Sequence, residues 1–297
     1  MTTDITQHIK EAASRTEATL QALLTKQATE KKKEFSLNDA MRYSLFCGGK
    51  RLRPYLVFLF CRMLKGSEQA ADVYAAAMEL IHTSSLIHDD MPCIDNDDLR
   101  RGRATCHRVY GEAGALLAGD AMQMKAFEIL SNADLPPESA VKAMNILASA
   151  AGEHGMLGGQ MLDMHAEKRE LALEELYALH TMKTGALIRA SVRLGCLAAS
   201  VEDERILSAC DTYALNIGIA FQIVDDILDC YGNAALLGKN TGSDRDSGKT
   251  TFLSFYDREK AMKEATSLTE RAIAAIGDID NSGEAIAFAR YLLTRKQ

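Results

Sequence analysis

Two strings of aspartate, more than a hundred residues apart in otherwise apolar sequence, constrain this chain more than any other feature. HDDMPCIDNDDLRRG carries Asp89, Asp90 and Asp95, and FQIVDDILD carries Asp225, Asp226 and Asp229. Two like charges about 4 Å apart repel by roughly 4 kcal/mol at an effective dielectric near 20, so gathered carboxylates must be protonated, solvated or neutralised by cations. An all-oxygen donor set selects a hard divalent ion, Mg2+ above all with Mn2+ as a substitute, held jointly with the phosphate oxygens of a ligand. The first expectation is therefore a fold that brings both strings to one space.

Composition narrows the fold. Only four prolines (Pro54, Pro92, Pro136, Pro137) interrupt 297 residues rich in helix formers, and no stretch alternates with the two-residue period of a strand. Helices are expected over about 3–31, 37–47, 53–65, 69–91, 111–131, 138–155, 173–199, 203–231, 257–276 and 283–294, forming an all-α bundle. No proline-, glycine- and serine-rich linker divides the chain, so 1–297 reads as one domain, with 232–248 as a long loop of the kind that serves as a lid.

A formal net charge of −7 leaves no basic excess for a nucleic-acid backbone. Cys47, Cys61, Cys93, Cys106, Cys196, Cys210 and Cys230 form no CxxC pair and read as small hydrophobes in a reducing cytosol. Residues 1–35 lack the apolar core of a signal peptide, and no later segment reads as an uninterrupted membrane span. These features predict a cytoplasmic protein without membrane insertion.

Spacing places the acids. Asp225 and Asp229, one helical turn apart, share a face, with Asp226 turned sideways. Asp89 and Asp95 are six residues apart, which a regular helix would point in different directions, and Pro92 intervenes. The helix is predicted to end or bulge near Pro92 and fold Asp95 back toward Asp89. Asp97 and Asp98 read as a cap or as partners of Arg100.

Basic residues gather where a reader of several phosphates would need them: Lys50, Arg51 and Arg53 in GGKRLRP, Arg100 and Arg101 in LRRG, Lys183 beside Thr184 in MKTG, and Lys239 and Lys249. Of these, Arg51 reads as ordinary solvated surface. His82 lies two turns before Asp89 and shares its face, whereas His88, His107 and His154 read as structural. GSDRDSGKT has the wrong glycine spacing for a P-loop and no preceding strand, DNDD fails the EF-hand pattern, and no histidine and cysteine set has zinc spacing.

GGKRLRP, IHTSSLIHDDMPCIDNDDLRRG, GGQMLDM, KTGALI, FQIVDDILD and the paired loop lysines, in order from about residue 40 to 250, closely resemble the trans-isoprenyl diphosphate synthases of the farnesyl and geranylgeranyl type. The resemblance implies a helical bundle around a deep apolar cavity, usually a homodimer. Its reaction joins isopentenyl diphosphate head-to-tail to an allylic diphosphate (dimethylallyl, geranyl or farnesyl). It further implies Mg2+, three ions with bound diphosphate, on Asp89, Asp90, Asp95, Asp225, Asp226 and Asp229. Arg100, Lys183, Lys239 and Lys249 would hold the allylic diphosphate, and Lys50, Arg53, His82 and Arg101 the isopentenyl diphosphate. Thr184 and Gln222 would stabilise the allylic cation, and closure of 232–248 would exclude water.

The cavity floor under Asp89 should set product length. Farnesyl-making relatives often carry an aromatic residue at the position of Ser84, so the serines Ser84 and Ser85 favour the geranylgeranyl product over the farnesyl one. A class I terpene cyclase, the nearest rival, normally lacks the second acidic triplet and has no use for Lys50, Arg53 and Arg101. A non-catalytic partner subunit would be expected to lose metal ligands, and this sequence keeps them.

Overall fold

Helix formers uninterrupted by proline do form helices. The computed structural model describes residues 4–25, 36–166, 169–231 and 249–294. In chain order the helices are α1 (Ile5–Thr25), α2 (Leu37–Leu45), α3 (Leu52–Met63), α4 (Glu68–Asp89), α5 (Cys106–Ser131), α6 (Pro137–Ala151), α7 (Met156–Ala166), α8 (Leu173–His180), α9 (Ala186–Ala198), α10 (Glu204–Tyr231), α11 (Arg258–Ile276) and α12 (Glu284–Thr294). A π-helical turn, Thr181–Gly185, joins α8 to α9, and a 3-10 turn, Phe252–Ser254, precedes α11. Polar caps fix several starts: Ser36, Ser67 and Asp257 accept the backbone N–H of Asp39, Ala70 and Lys260.

α4 forms the middle of the bundle, packed by α3, α5 and α9. Its run Tyr74–Leu80 is at most 1% exposed, because alanines 75 to 77 let neighbouring helices approach from every side. α10 runs through both hydrophobic clusters, contributing Tyr213 and Ile217 to the larger and Ile223 and Ile227 to the smaller. By length and composition α10 could cross a membrane, which corrects the expectation that no segment could. Half of its apolar window is nevertheless buried inside the bundle, where α9 and α11 cover it.

Four local features depart from the sequence reading. α7 went unread because GMLGGQ carries two adjacent glycines, which weaken a helical pattern. The segment expected as one helix over 173–199 contains the π-turn. α5 starts five residues early and bends at Gly111, whose φ of 75° is open to glycine. Leu99–Arg100 and Arg103–Ala104 form a two-stranded antiparallel hairpin too short to show alternation, closed by Arg101 and Gly102 with φ of 53° and 75°.

Arg51 is corrected outright. Far from lying on a solvated surface, it is 3% exposed, donates to Glu79 at 2.5 Å and to Glu17 at 3.1 Å, and also bonds the Leu45 carbonyl. Glu79 is itself fully buried, so removing either partner would strand a charge in the core, at a cost of about 3–5 kcal/mol. The pair locks the start of α3, and with it Arg53, to α4.

Candidate active site

α4 stops at Asp89, and the chain turns through Pro92 until the Asp95 N–H donates to the Asp89 carbonyl at 2.9 Å. Asn96, at φ 53°, follows in the left-handed region that asparagine tolerates. Asp95 is thereby folded back over the end of α4, as the position of Pro92 predicts. Asp89 and Asp95 line a cavity of about 1540 Å3 that also takes in Asp225 and Asp226 of α10. Both acidic strings reach one space.

The six carboxylates do not share it equally. Asp90 is 3% exposed, is gripped by Arg100 from the hairpin (Nε to Oδ1 2.9 Å), and lines a separate small pocket. Its placement among the cation ligands is therefore corrected: one step round α4 from Asp89, it faces the hairpin. Asp226 accepts Gln222 Nε2 at 3.0 Å and the Phe252 N–H at 2.9 Å, so it orients its neighbours, and it reaches the cavity wall instead of turning aside. Asp229, one turn beyond Asp225, is 6% exposed and is not among the lining residues.

Among the described residues no three acidic, histidine or cysteine side chains come close enough together to hold an ion unaided. The cavity acids nevertheless suit a hard cation that takes its remaining ligands from bound phosphate, because every donor is oxygen. Burial pushes the Asp89 carboxyl up to about 6, with the Asp95 charge adding to the effect against Lys183. A cation there would relieve that carboxylate.

Basic groups face the acids. Lys183 and Thr184 project from the π-turn, a form of helix frequent at functional sites. The turn is clamped by α7: a Cβ on Gly159 would meet the Lys183 backbone nitrogen at 2.3 Å, so only glycine fits. The Thr184 hydroxyl lies 3.4 Å from Gln222 Oε1. Because Asp226 holds the amide nitrogen of Gln222, its oxygen is left toward Thr184. Lys249 donates to Asp95 at 3.2 Å. Lys239 and the loop 232–248 lie outside the described residues.

A second basic corner is built by α3, α4 and the hairpin. Arg53 Nη1 is 3.2 Å from His82 Nε2, and both line the cavity. Burial, then the Arg53 charge, holds the His82 ring well below its ordinary pKa, so it is neutral and Nε2 accepts. Arg101 lines the same cavity and donates to the Gly48 carbonyl. Lys50, two residues beyond Gly48, is exposed and is not among the lining residues. Arg100 lines the cavity from its seat on Asp90.

The two serines separate. Ser85 faces the cavity, its hydroxyl on the His82 carbonyl at 2.8 Å, whereas Ser84 is fully buried, bonded to the Ile81 carbonyl, and absent from the lining. Of the two serines expected at the cavity floor, Ser85 lines it and Ser84 does not. Lining residues that were not singled out include Gln160 and Asp163 of α7, and His180, and the lining also takes in His88, Asp97 and Asp98, which were read as lying outside the site. Gln160 and Asp163, three apart in GGQMLDM, share a helix face, and that spacing was the available signal. His88 touches the Leu116 carbonyl at 3.2 Å, and His154 is exposed.

Acids and bases from separate helices meet across a cavity that Leu86, Leu187 and Phe221 also line, on an all-α fold. The polyprenyl synthetase model matches residues 34–286. The chain is 46% identical over 266 residues to a farnesyl diphosphate synthase of Escherichia coli, covering 87% of this chain and 89% of that protein. It is 42% identical over 261 residues to a geranylgeranyl diphosphate synthase of Cyanophora paradoxa, covering 86% and 87%. A geranyltransferase of Helicobacter pylori, solved with magnesium and isoprenyl diphosphate, superposes with a TM-score of 0.83 at 32% identity, covering 99% of this chain and 97% of that one. The chain belongs to the polyprenyl synthetase family and is a prenyltransferase.

Proposed function

We propose that the protein condenses isopentenyl diphosphate head-to-tail with an allylic diphosphate in the presence of Mg2+, releasing pyrophosphate and ending at geranylgeranyl diphosphate. The observation that carries this reading is the single cavity that both acidic strings and both basic corners line. Asp89, Asp95 and Asp225 are the carboxylates we assign to the metal, three ions with bound diphosphate, with Mn2+ as a substitute. Bound Mg2+ supplies the counter-charge for the negative charge that builds on the departing pyrophosphate.

The chain's own residues do the rest. Arg100, Lys183 and Lys249 grip the allylic diphosphate, with Lys239 assigned the same task from sequence. Arg53, Arg101, His82 and Lys50 hold isopentenyl diphosphate; the neutral His82 ring accepts from Arg53 and so fixes its guanidinium without adding a competing charge. Once the C–O bond breaks, the Thr184 hydroxyl and the Gln222 amide oxygen present lone pairs to the allylic cation. The isopentenyl alkene attacks, and the departing pyrophosphate takes the final proton.

Product length follows from space. Ser85 is small and faces the cavity one turn beneath Asp89, which leaves room for a longer tail. A farnesyl end product is the second reading, favoured by the likeness to a farnesyl diphosphate synthase. The active form is proposed to be a homodimer, since Leu117, Met124, Met161 and Leu162 expose 45–64% of their surface on α5 and α7. Purified protein given Mg2+, isopentenyl diphosphate and dimethylallyl diphosphate tests the assignment. A twenty-carbon prenyl diphosphate on chromatography supports it, a fifteen-carbon product moves it to the second reading, and a cyclised hydrocarbon or no turnover refutes it.

A further inference from the structure

Three charged side chains from three separate segments meet at one point of the cavity, and only two have a task in the reading above. Asp163 of α7 accepts from Lys183 Nζ at 2.5 Å and stands 3.8 Å from Lys249 Nζ, while Lys249 reaches Asp95 at 3.2 Å. Lys183 belongs to the π-turn and Lys249 to the segment before α11. Asp163 lies one turn beyond Gly159, the residue on which α7 rests against the backbone of Lys183, so the close approach of α7 also delivers the carboxylate.

We propose that Asp163 is a positioning residue whose carboxylate gathers the ammonium groups of Lys183 and Lys249 onto one spot of the cavity wall, so that an entering diphosphate meets a preformed double cation. The inference rests on the assignment of these lysines to the allylic diphosphate. Two ammonium groups this close repel, and each sits on a flexible four-carbon stem, so without an anion between them they spread apart and must be ordered when the ligand binds. Burial alone would raise the Asp163 pKa, but Lys183 and then Lys249 outweigh it, and the carboxyl lies below its usual range. His180, alongside, brings no third cation: burial takes its pKa down to about 4, and neither ring nitrogen has a partner among the described residues.

The side chains of Asp163 and Lys183 are 15% and 24% exposed, so an ordinary structural ion pair is the competing account, and the test must separate the two. Asp163→Asn, Asp163→Glu, Lys183→Met and the Asn/Met double variant are compared by calorimetric binding of inorganic pyrophosphate with Mg2+, by KM for each substrate, and by melting temperature. Asp163→Asn is expected to weaken pyrophosphate and raise the allylic KM at least tenfold, with the isopentenyl KM within twofold, at a temperature where the melting curve shows the variant folded. Asp163→Glu should recover most of the loss, and the double variant should lose less than the two single losses combined, because only the Lys249 arm is left for Asp163 to position. Unchanged or tighter pyrophosphate binding, an equal rise in both KM values, or additive losses overturn the proposal. Should Asp163→Asn fail to fold, the smaller neutral Asp163→Ser is read in the same way. Wild-type protein that binds pyrophosphate but elongates nothing refutes the proposed reaction and leaves the binding result to decide the role of Asp163.

Discussion

Asp89 sits in surroundings that disfavour its own charge, and this has a measurable consequence. Its carboxyl titrates near 6 in the folded protein against 3.8 in the free side chain, chiefly through burial. Between those values the unfolded chain has released its proton and the folded chain has not, so stability falls as pH rises through this window and stays lower above it, by about 3 kcal/mol. In chelator-treated protein, urea unfolding of Asp89→Asn should show it about 1–3 kcal/mol more stable than wild type at pH 7.5 and no different near pH 4. Equal stabilities at pH 7.5 would contradict the buried carboxylate. The return of Asp95 to Asp89 was legible, because a proline inside a helical run forces an ending. The fate of Asp90 was not: adjacent residues look alike in a string, and only the Arg100 hairpin, too short to register as strands, tells them apart.

At the scale of elements, the π-turn and α7 act as one unit. Gly159→Ala would drive a methyl into the Lys183 backbone nitrogen, and backbone cannot step aside as a flexible side chain would. Calorimetry should show destabilisation of about 1–3 kcal/mol, with turnover lost beyond what the fraction unfolded explains. Ser85→Phe and Ser84→Phe should differ in kind. The first projects into the cavity and is expected to shorten the product on chromatography, while the second, in a fully packed position, should lower stability and leave the product spectrum of the folded fraction alone. The motifs on α3, α4 and α10 could be read because strong helix formers carry them. α7 could not, since its glycines serve a contact with a distant segment that no local pattern encodes.

For the molecule as a whole, the all-α class was plain from composition, while the hollow it encloses depends on distant helices meeting. If the proposed dimer forms through the exposed apolar side chains of α5 and α7, Leu117→Glu is expected to convert it into monomers by light scattering, with the helical signal retained. A dimer unaffected by that charge would place the interface elsewhere. The central claim is that Asp89, Asp95 and Asp225 act on one metal-bound diphosphate across one cavity. Diffraction from crystals grown with Mn2+ and inorganic pyrophosphate, recorded at the manganese edge, tests it most directly. Anomalous peaks between the pyrophosphate and carboxylates of both α4 and α10 are predicted; peaks on one wall alone, or on the molecular surface, would contradict it.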